Sequence, residues 1–484
     1  MNIAIEFRTQ AAAMADLPAF IAPDLTLTFE KLWRIVDCFA CRMVECGIGQ
    51  GARVGIDTGD RIVAVSTMFA AALVGAEFVA LDKPVMRVAA LRPTHFLRSP
   101  ERPGIADLPY IVMDETWSPK FGVGSGEIGA VWSGYATSDA PAWIVQSSGT
   151  TGRPKFMRLS QELVHRRVRA VMSEFEPGRT RLATLFGCGS RPFLIRAAAA
   201  LLAGCTIVDS SDVSFFQANG VNLLCASPRQ VREWLGPRRI KPRLARFQCS
   251  GAKLGPGETD TLLESFDVVE DVYGSSETIK AHVNISRMSG ENRVTHGHAA
   301  GSDIEICRDD GSLCDVGEVG TVRIRNAVMV EGYVDDAEAT ARSFRDGWFH
   351  PGDLAAWGAR GRLDVIGRAN DVVNLGGRKV SLTEVDHLLS GIAGVKLAVC
   401  FRHPGLGRQD DLAAILQLDD ITNADETVAR AHRDCAEALG PDSSPREILV
   451  VLAVPLTADG VPRRAECQEL FRHGACADVD APRP

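Results

Sequence analysis

The sequence lacks several features that mark specialised classes of protein. It has no stretch approaching the roughly 20 uninterrupted apolar residues of a membrane span, no long basic block, and no basic segment followed by an apolar run at its N-terminus. These absences argue against a membrane protein, against nucleic acid as the main partner and against a signal peptide. We therefore expect a cytoplasmic protein that has neither a membrane nor a nucleic acid as its partner.

The composition is that of an ordinary globular protein, with 46% hydrophobic residues, 24% charged residues and a net charge of −8 over 484 residues. This length allows two or three domains. The 13 cysteines are odd in number and scattered, which favours reduced thiols over a disulfide framework. Cys38 and Cys41 form the one close pair. Residues 32–44 have helical apolar spacing, so we predict buried helix cysteines here rather than half of a zinc or redox site.

Strands and helices alternate along residues 26–82, which predicts an α/β fold with a parallel sheet. Residues 62–76 are apolar throughout and predict a helix, and residues 78–82 predict a buried strand. A further helix is predicted at 161–175. Its basic run, 165–169, indicates a solvated helix face, although it could also face a ligand phosphate.

Residues 147–155, Ser-Ser-Gly-Thr-Thr-Gly-Arg-Pro-Lys, follow a short apolar strand at 142–145. Glycines let a backbone approach a ligand closely, while hydroxyls, backbone N–H groups and a lysine bind phosphate oxygens. The spacing is not that of a Walker A loop. The stretch predicts a polyphosphate-binding loop, with a plain surface turn as the alternative. Its candidate ligands are Ser147, Ser148, Gly149, Thr150, Thr151, Gly152 and Lys155.

A second motif follows the apolar segment 268–272, which we predict to be a strand. It delivers an aromatic ring, a glycine, a hydroxyl and a carboxylate to one place: Tyr273, Gly274, Ser276 and Glu277. An exposed carboxylate after a strand and turn is the alternative interpretation.

These stretches closely resemble the adenylate-forming superfamily, which comprises acyl- and aryl-CoA synthetases, adenylation domains of nonribosomal peptide synthetases, and luciferases. Residues 346–353 and 361–386 resemble further motifs of that family, and the resemblance runs from about Leu27 to Arg464. It implies a large N-terminal α/β domain of packed sheets and helices, 1–370, and a small mobile α+β domain, 371–484. Asp371 would be the hinge between them.

The resemblance also implies the reaction and its ligands. A carboxylic acid would attack the α-phosphate of ATP with Mg²⁺, and the resulting acyl-AMP would acylate a thiol of CoA or of a carrier protein. Lys155 and the loop hydroxyls would hold the β- and γ-phosphates. Glu277 would bind Mg²⁺, and Ser276 would donate to the α-phosphate. The remaining implied contacts are Tyr273 near adenine, Asp353 on the ribose hydroxyls, Arg368 on the ribose or phosphate, and Gly376 and Gly377 along a pantetheine tunnel.

Two small-residue segments would line the acyl pocket in this resemblance. The first contains Phe186, Gly187 and Cys188, and the second contains Gly251 and Ala252. Amino-acid-activating relatives usually carry an aspartate near the first segment, and residues 182–196 contain none. We therefore expect an aryl or short acyl acid rather than an α-amino acid.

The pattern breaks at the last motif, where relatives carry a catalytic lysine. Residues 455–464 read Pro-Leu-Thr-Ala-Asp-Gly-Val-Pro-Arg-Arg, and no lysine follows Lys396. The lysine is either replaced by Val461 or deleted just before it. Arg463 or Arg464 could substitute, although arginine differs from lysine in geometry. Alternatives therefore stay open: an amide- or ester-forming ligase, a nucleotide-binding scaffold, or an enzyme that only converts acyl-AMP supplied to it.

Overall fold

The computed structural model describes residues 2–80, 93–102, 110–117, 138–147, 155–255, 257–375, 378–404, 410–440, 444–456 and 462–472. The chain forms two compact units. The first contains residues 1–254, 260–303 and 324–349, and the second contains residues 255–259, 304–323 and 350–484. The domain boundary predicted after residue 370 falls inside the second unit, and the hinge at Asp371 remains a prediction.

The larger sheet of the first unit has nine strands. Its six central strands are parallel, whereas the pairs at both edges are antiparallel. In spatial order the strands are Asn292–Ala299, Ile279–Ser289, Phe266–Ser275, Leu244–Cys249, Leu223–Ala226, Arg181–Thr184, Thr206–Val208, Pro18–Ala22 and Leu25–Thr28. The parallel sheet predicted from residues 26–82 is confirmed in the second sheet of this unit, where Arg53–Asp57 and Glu77–Ala80 pair in parallel.

The second sheet of this unit ends in the hairpin that carries the candidate phosphate loop. Its neighbouring strands are parallel except in this last pair. In spatial order they are Ile111–Val112, His95–Arg98, Arg53–Asp57, Glu77–Ala80, Pro141–Ser147 and Lys155–Ser160. The strand predicted at 78–82 is present as far as Ala80, and residues 81 and 82 lie outside the described residues.

The helix Arg61–Val74 is buried on every side, from Ile62 onward. Its sequence is apolar all round, as is typical of a helix enclosed by other elements. Asp60 caps its N-terminus by accepting two backbone N–H groups, and Gly75 ends it in the left-handed conformation at φ 74°. The first unit's other helices and two short strands are Ile3–Ala13, Phe29–Glu45, Gln161–Met172, Arg191–Leu202, Val213–Ala218, Pro228–Leu235, Ala337–Ser343, Phe344–Arg345 and Trp348–Phe349.

The helix predicted around Cys38 and Cys41 is present as Phe29–Glu45, but the prediction that both cysteines are buried is wrong. Both are half-buried. Because of the helical period, Phe39 and Met43 face the core, and the two cysteines lie at the edges of this buried face. All cysteines in the described ranges are free thiols.

The second unit is an α+β assembly built largely from antiparallel pairs. A hairpin joins Val372–Leu375 to Arg378–Ser381, and a three-stranded sheet has the order Val395–Pro404, Asp410–Leu418 and Glu447–Val451. Its helices are Leu382–Ser390, Ala424–Leu439 and Arg464–Arg472; its further strands are Asp353–Trp357 and Leu363–Arg368; and its 3₁₀ turns are Ala359–Gly361, Ala369–Asp371 and Ile421–Asn423. Three elements have residues in both units: Glu258–Leu263, Ser302–Cys307 and Gly320–Asn326.

The apolar faces of two helices cover the three-stranded sheet. Val385 and Leu389 pack with Leu416 from the sheet and with Cys435 from the neighbouring helix. The mixed α/β class predicted from the sequence is therefore confirmed. None of the helices in the described ranges combines the length and apolarity that a bilayer crossing needs.

Candidate active site

The phosphate-loop motif lies between two neighbouring strands of the first unit. Ser147 ends one strand and pairs with Lys155, which begins the next. The predicted strand before the loop is thereby confirmed. The ammonium nitrogen of Lys155 lies 4.7 Å from the centre of the Tyr333 ring, a cation–π contact. The side chain of Ser147 and the residues Ser148, Gly149, Thr150, Thr151 and Gly152 lie outside the described residues.

The second motif, residues 273–277, lies beside this hairpin, and we call it the acidic motif. The hydroxyl of Ser276 donates to the backbone carbonyl of Gln146, at 3.2 Å, so the two motifs meet in one unit. The hydroxyl of Tyr333 donates to Oε1 of Glu277 at 2.8 Å. Tyr333 thus contacts Lys155 through its ring and Glu277 through its hydroxyl.

Gly274 is required by a close approach of two backbone segments. The strand irregularity after Tyr273 brings the carbonyl oxygen of Ile279 so near that a Cβ on Gly274 would lie 1.9 Å from it. Any other residue would have to open this turn. Tyr273, the predicted adenine neighbour, is half-buried on the strand Phe266–Ser275.

Arg167 corrects the prediction for the basic run 165–169. Arg166 and Arg169 are exposed as predicted, but Arg167 is only 1% exposed. The helical period places it on the same face as Val164 and Val171, which is the buried face. Hydropathy alone does not reveal that a cation on a buried face will find carbonyl partners there.

The guanidinium of Arg167 binds the backbone of the acidic motif. It donates to the backbone carbonyls of Ser276 at 3.0 Å, Glu277 at 2.6 Å and Val328 at 2.9 Å. Burial lowers the pKa of Arg167 to about 9, which leaves it protonated at neutral pH. Arg167 therefore fixes the backbone from which the Glu277 carboxylate projects.

The Glu277 side chain suits a divalent cation. It is 6% exposed, and no ion pair to it is found in the part of the chain that the structure describes. A buried carboxylate needs a compensating charge. In the described ranges no group of three or more His, Cys, Asp or Glu side chains is placed to hold a metal. Mg²⁺ here would therefore complete its shell with phosphate and water oxygens, as it usually does beside nucleotides.

The two predicted acyl-pocket segments are linked by one residue that the sequence analysis did not single out. Arg196 lies with its guanidinium carbon 5.6 Å from the centre of the Phe186 ring, and it donates to the hydroxyl of Ser250 at 3.4 Å. Ser250 precedes Gly251 and Ala252, which are both exposed. The only signal in the sequence was a charged residue inside the apolar helix Arg191–Leu202.

The turn before this helix is held by its own polar groups. Gly187 is exposed, and its carbonyl accepts the hydroxyl of Ser190 at 2.7 Å. Cys188 is half-buried, and its thiol donates to the carbonyl of Thr58 at 2.9 Å. Burial raises the pKa of Cys188, so the thiol stays protonated at neutral pH.

In the second unit, Asp353 and Arg368 are cross-strand partners. Nε of Arg368 lies 3.1 Å from Oδ1 of Asp353, and Arg368 also donates to the carbonyl of Pro351. Asp353 is 9% exposed. The pairing explains how two motifs that are 15 residues apart reach one location. The pantetheine-tunnel residues Gly376 and Gly377 lie outside the described residues.

Neither arginine of the last motif has a free guanidinium. Arg463 pairs with Glu466 at 2.6 Å, and both side chains are about half exposed. Arg464 pairs with Asp386 at 2.7 Å and with the predicted hinge residue Asp371 at 3.6 Å. Residues 457–461 lie outside the described residues.

The first unit combines largely parallel sheets with a lysine, a hydroxyl and a carboxylate that lie close together: Lys155, Ser276 and Glu277. This combination is typical of α/β enzymes that bind nucleotides. A family model described as AMP-binding enzyme matches residues 7–92 and 111–334. The chain belongs to the family of AMP-binding enzymes.

Curated relatives and a solved structure agree with this assignment. The chain is 27% identical to sulfoacetate–CoA ligase from Cupriavidus necator, over 67% of this chain and 66% of that one. It is 26% identical to 3-hydroxybenzoate–CoA ligase from Aromatoleum sp. (strain CIB), over 96% of this chain and 95% of that one. The O-succinylbenzoate coenzyme A synthetase from Bacillus subtilis, solved with ATP and magnesium ion, matches with a TM-score of 0.78 and 20% identity, over 96% of this chain and 99% of that one.

The chain spans only part of the length of most of these relatives: besides the sulfoacetate ligase, six curated relatives are covered over 42 to 66% of their own lengths. The solved structure, at 20% identity, supports the fold alone.

Proposed function

We propose that this protein is an acid–thiol ligase that uses ATP and Mg²⁺ and forms AMP. The observation that carries the proposal is the cluster of Lys155, Tyr333, Glu277 and Ser276 in the first unit. Three of these four residues come from the two strongest sequence motifs. A structural turn would have no need to gather a lysine, a hydroxyl and an unpaired buried carboxylate in one place.

The proposed reaction has two balanced steps. In the first, a carboxylate oxygen of the acid bonds to the α-phosphorus of ATP, and the bond to pyrophosphate breaks, leaving acyl-AMP. In the second, a thiol sulfur bonds to the acyl carbon, AMP leaves with the electrons of the broken C–O bond, and the thiol proton passes to solvent. CoA and the phosphopantetheine of a carrier protein present the same thiol arm, so both are proposed acceptors.

Each motif residue has a proposed part in these steps. Lys155 and the hydroxyls of Ser147, Thr150 and Thr151 bind the departing phosphates. Glu277 orients Mg²⁺, which when bound neutralises phosphate charge. The hydroxyl of Ser276 would release the Gln146 carbonyl to donate to the α-phosphate instead. Asp353 and Arg368 bind the ribose end of the nucleotide.

The acid is proposed to be aryl or short. Sulfoacetate and 3-hydroxybenzoate, which the names of the two relatives give as their substrates, are both small acids. The exposed small residues Gly187, Gly251 and Ala252 fit an acid of that size in the predicted pocket.

A second candidate function is a ligase that has lost the first step and acylates thiols only from acyl-AMP supplied to it. The observation that favours it is the engagement of Arg463 and Arg464 by carboxylates in the second unit. Arg464 would have to leave a largely buried pair in order to replace the lysine that the last motif lacks, whereas the surface pair of Arg463 is worth at most about 1 kcal/mol.

Val461→Lys is therefore expected to raise ATP–pyrophosphate exchange by about 10²–10³-fold, the usual worth of one such electrostatic contact. The assay compares the wild-type chain, Val461→Lys and the neutral control Val461→Met against a panel of aryl and short acids. Equal and substantial exchange in all three would contradict the second candidate, because another cation would then serve the first step. Conversion of synthetic acyl-AMP, but not of acid plus ATP, by the wild-type chain would support it.

Asp353→Asn is expected to weaken AMP binding by about 10- to 100-fold, the worth of a charge-assisted hydrogen bond. Asp364→Asn is the matched control, because Asp364 also pairs with an arginine on the same hairpin, Arg362 at 2.7 Å, but lies at the surface. Isothermal titration with AMP measures both. An equal loss of affinity in the two variants would contradict the ribose-binding role.

A further inference from the structure

Arg196 is a buried cation for which the described part of the chain supplies no carboxylate at ion-pair distance. It is 9% exposed, and its guanidinium donates only to neutral oxygens: Oε1 of Gln248 at 2.8 Å, the carbonyl of Pro192 at 3.1 Å and Oγ of Ser250 at 3.4 Å. No ion pair involves it in the described ranges of the chain. Buried arginines are ordinarily paired with an anion, because desolvating an isolated charge is costly.

The carboxylates nearest to Arg196 in this network already have cations of their own. Glu174 pairs with Lys280 at 2.8 Å. Glu270 pairs with Arg246, also at 2.8 Å. Gln248 donates its amide to both carboxylates while its oxygen accepts Arg196. Lys280 and Arg246 therefore balance these two carboxylates, and Arg196, whose charge also acts on Glu174, adds one further positive charge to the network.

A second positive charge lies on the same helix. Arg191 is the first residue of Arg191–Leu202, and no hydrogen bond or ion pair to its side chain is found among the described residues. Burial and the charge of Arg196 lower the pKa of Arg191 to about 10, while the charge of Glu277 acts in the opposite direction, so Arg191 is charged at neutral pH. A cation at a helix N-terminus also opposes the helix dipole, so the helix gains nothing from it.

Arg61 is a useful comparison with Arg196, because the two arginines differ in their partners. It too lies close to the pocket segment, donating to the carbonyl of Phe186 at 2.9 Å, but it pairs with Asp209 at 3.1 Å. Arg61 thus has an ion-pair partner, whereas none is found for Arg196 among the described residues. Arg196 contacts both Phe186 and Ser250, so its charge lies beside the two predicted pocket segments.

We propose that Arg196 forms an anion subsite in the acyl pocket, and that the acid substrate carries a second anionic group, a carboxylate or a sulfonate, besides the carboxylate that is activated. This inference rests on the proposed function for the pocket's role. Arg196 binds the second anion with its planar guanidinium.

The test measures acid binding separately from turnover. The full chain, with Mg²⁺ and α,β-methylene-ATP, is titrated calorimetrically with malonate, succinate, phthalate and sulfoacetate. Each is compared with a neutral-ended counterpart: the monomethyl esters, and methylsulfonylacetate for the sulfonate. For at least one pair we expect the dianion to bind about 10- to 100-fold more tightly, the usual worth of a charged hydrogen bond. The best pair also distinguishes a carboxylate from a sulfonate.

Arg196→Met is expected to reduce that preference to less than about threefold, whereas Arg196→Lys keeps part of it, since the charge remains. Arg246→Met is the matched control. It removes an arginine from the same network and lowers the thermal midpoint, but it leaves the preference intact. Equal binding of every pair, or no binding of any, overturns the proposal. A dianion preference without pyrophosphate exchange would support the subsite while counting against the proposed first step.

Discussion

Glu277→Gln is expected to lower ATP–pyrophosphate exchange by about 10²–10³-fold, with almost no change in thermal stability. The substitution keeps the volume of the side chain and an oxygen that accepts from Tyr333. It removes the negative charge that would face Mg²⁺. Because that charge has no ion pair in the described part of the protein, its removal breaks no structural contact.

The measurement for Glu277 is the exchange rate as a function of Mg²⁺ concentration. We expect the variant to need more Mg²⁺ for half-maximal rate. Glu270→Gln is the matched control: Glu270 lies on the strand Phe266–Ser275, which precedes Glu277, is 8% exposed, and pairs with Arg246. It should lower stability without changing the Mg²⁺ dependence. If Glu277→Gln exchanged at the wild-type rate, the carboxylate would not serve the metal.

Arg167→Met is expected to destabilise the protein by about 3–5 kcal/mol, the loss typical when one partner of a buried charged contact is removed. Three backbone carbonyls would lose their donor. A full penalty of about 1–3 kcal/mol for each would give a larger sum, but water entering the gap and relaxation of the turn reduce it.

Urea unfolding measures this loss, and Arg169→Met is the control. Arg169 lies on the same helix but is half exposed and pairs with Glu6 at 3.3 Å, a surface contact worth at most about 1 kcal/mol. Because Arg167 holds the backbone of Ser276 and Glu277, its loss should also lower pyrophosphate exchange, and Arg167→Lys should rescue part of both effects. A stability change no larger than that of Arg169→Met would refute the role of Arg167 as the support of the acidic motif.

Features of the chain that depend on nearby residues were predictable. The apolar runs before Ser147 and Tyr273 indicated strands, and both strands are present. The all-apolar stretch after Asp60 indicated an enclosed helix, which the structure also has. Hydroxyls, glycines and a lysine in one loop indicated phosphate chemistry, since those groups suit phosphate wherever the loop lies.

Contacts between distant residues were not predictable. Tyr333 is 178 residues from Lys155 and 56 from Glu277, yet it contacts both. In the basic run 165–169, Arg167 is buried although Arg166 and Arg169 are exposed. In the apolar helix after Ser190, Arg196 is a charged residue among buried apolar ones. Periodicity predicts which face of a helix is buried, but it does not predict what that face meets.

The sequence by itself determined the fold class, the strands and helices around the motifs, and the chemistry of those motifs, because each depends on residues that are close along the chain. Only the tertiary structure decided that Arg167 supports the acidic motif, that Arg196 connects the two predicted pocket segments with no ion pair among the described residues, and that Arg463 and Arg464 are already paired. Burial and charge compensation decide these three outcomes, and both are set by residues brought together from distant parts of the chain.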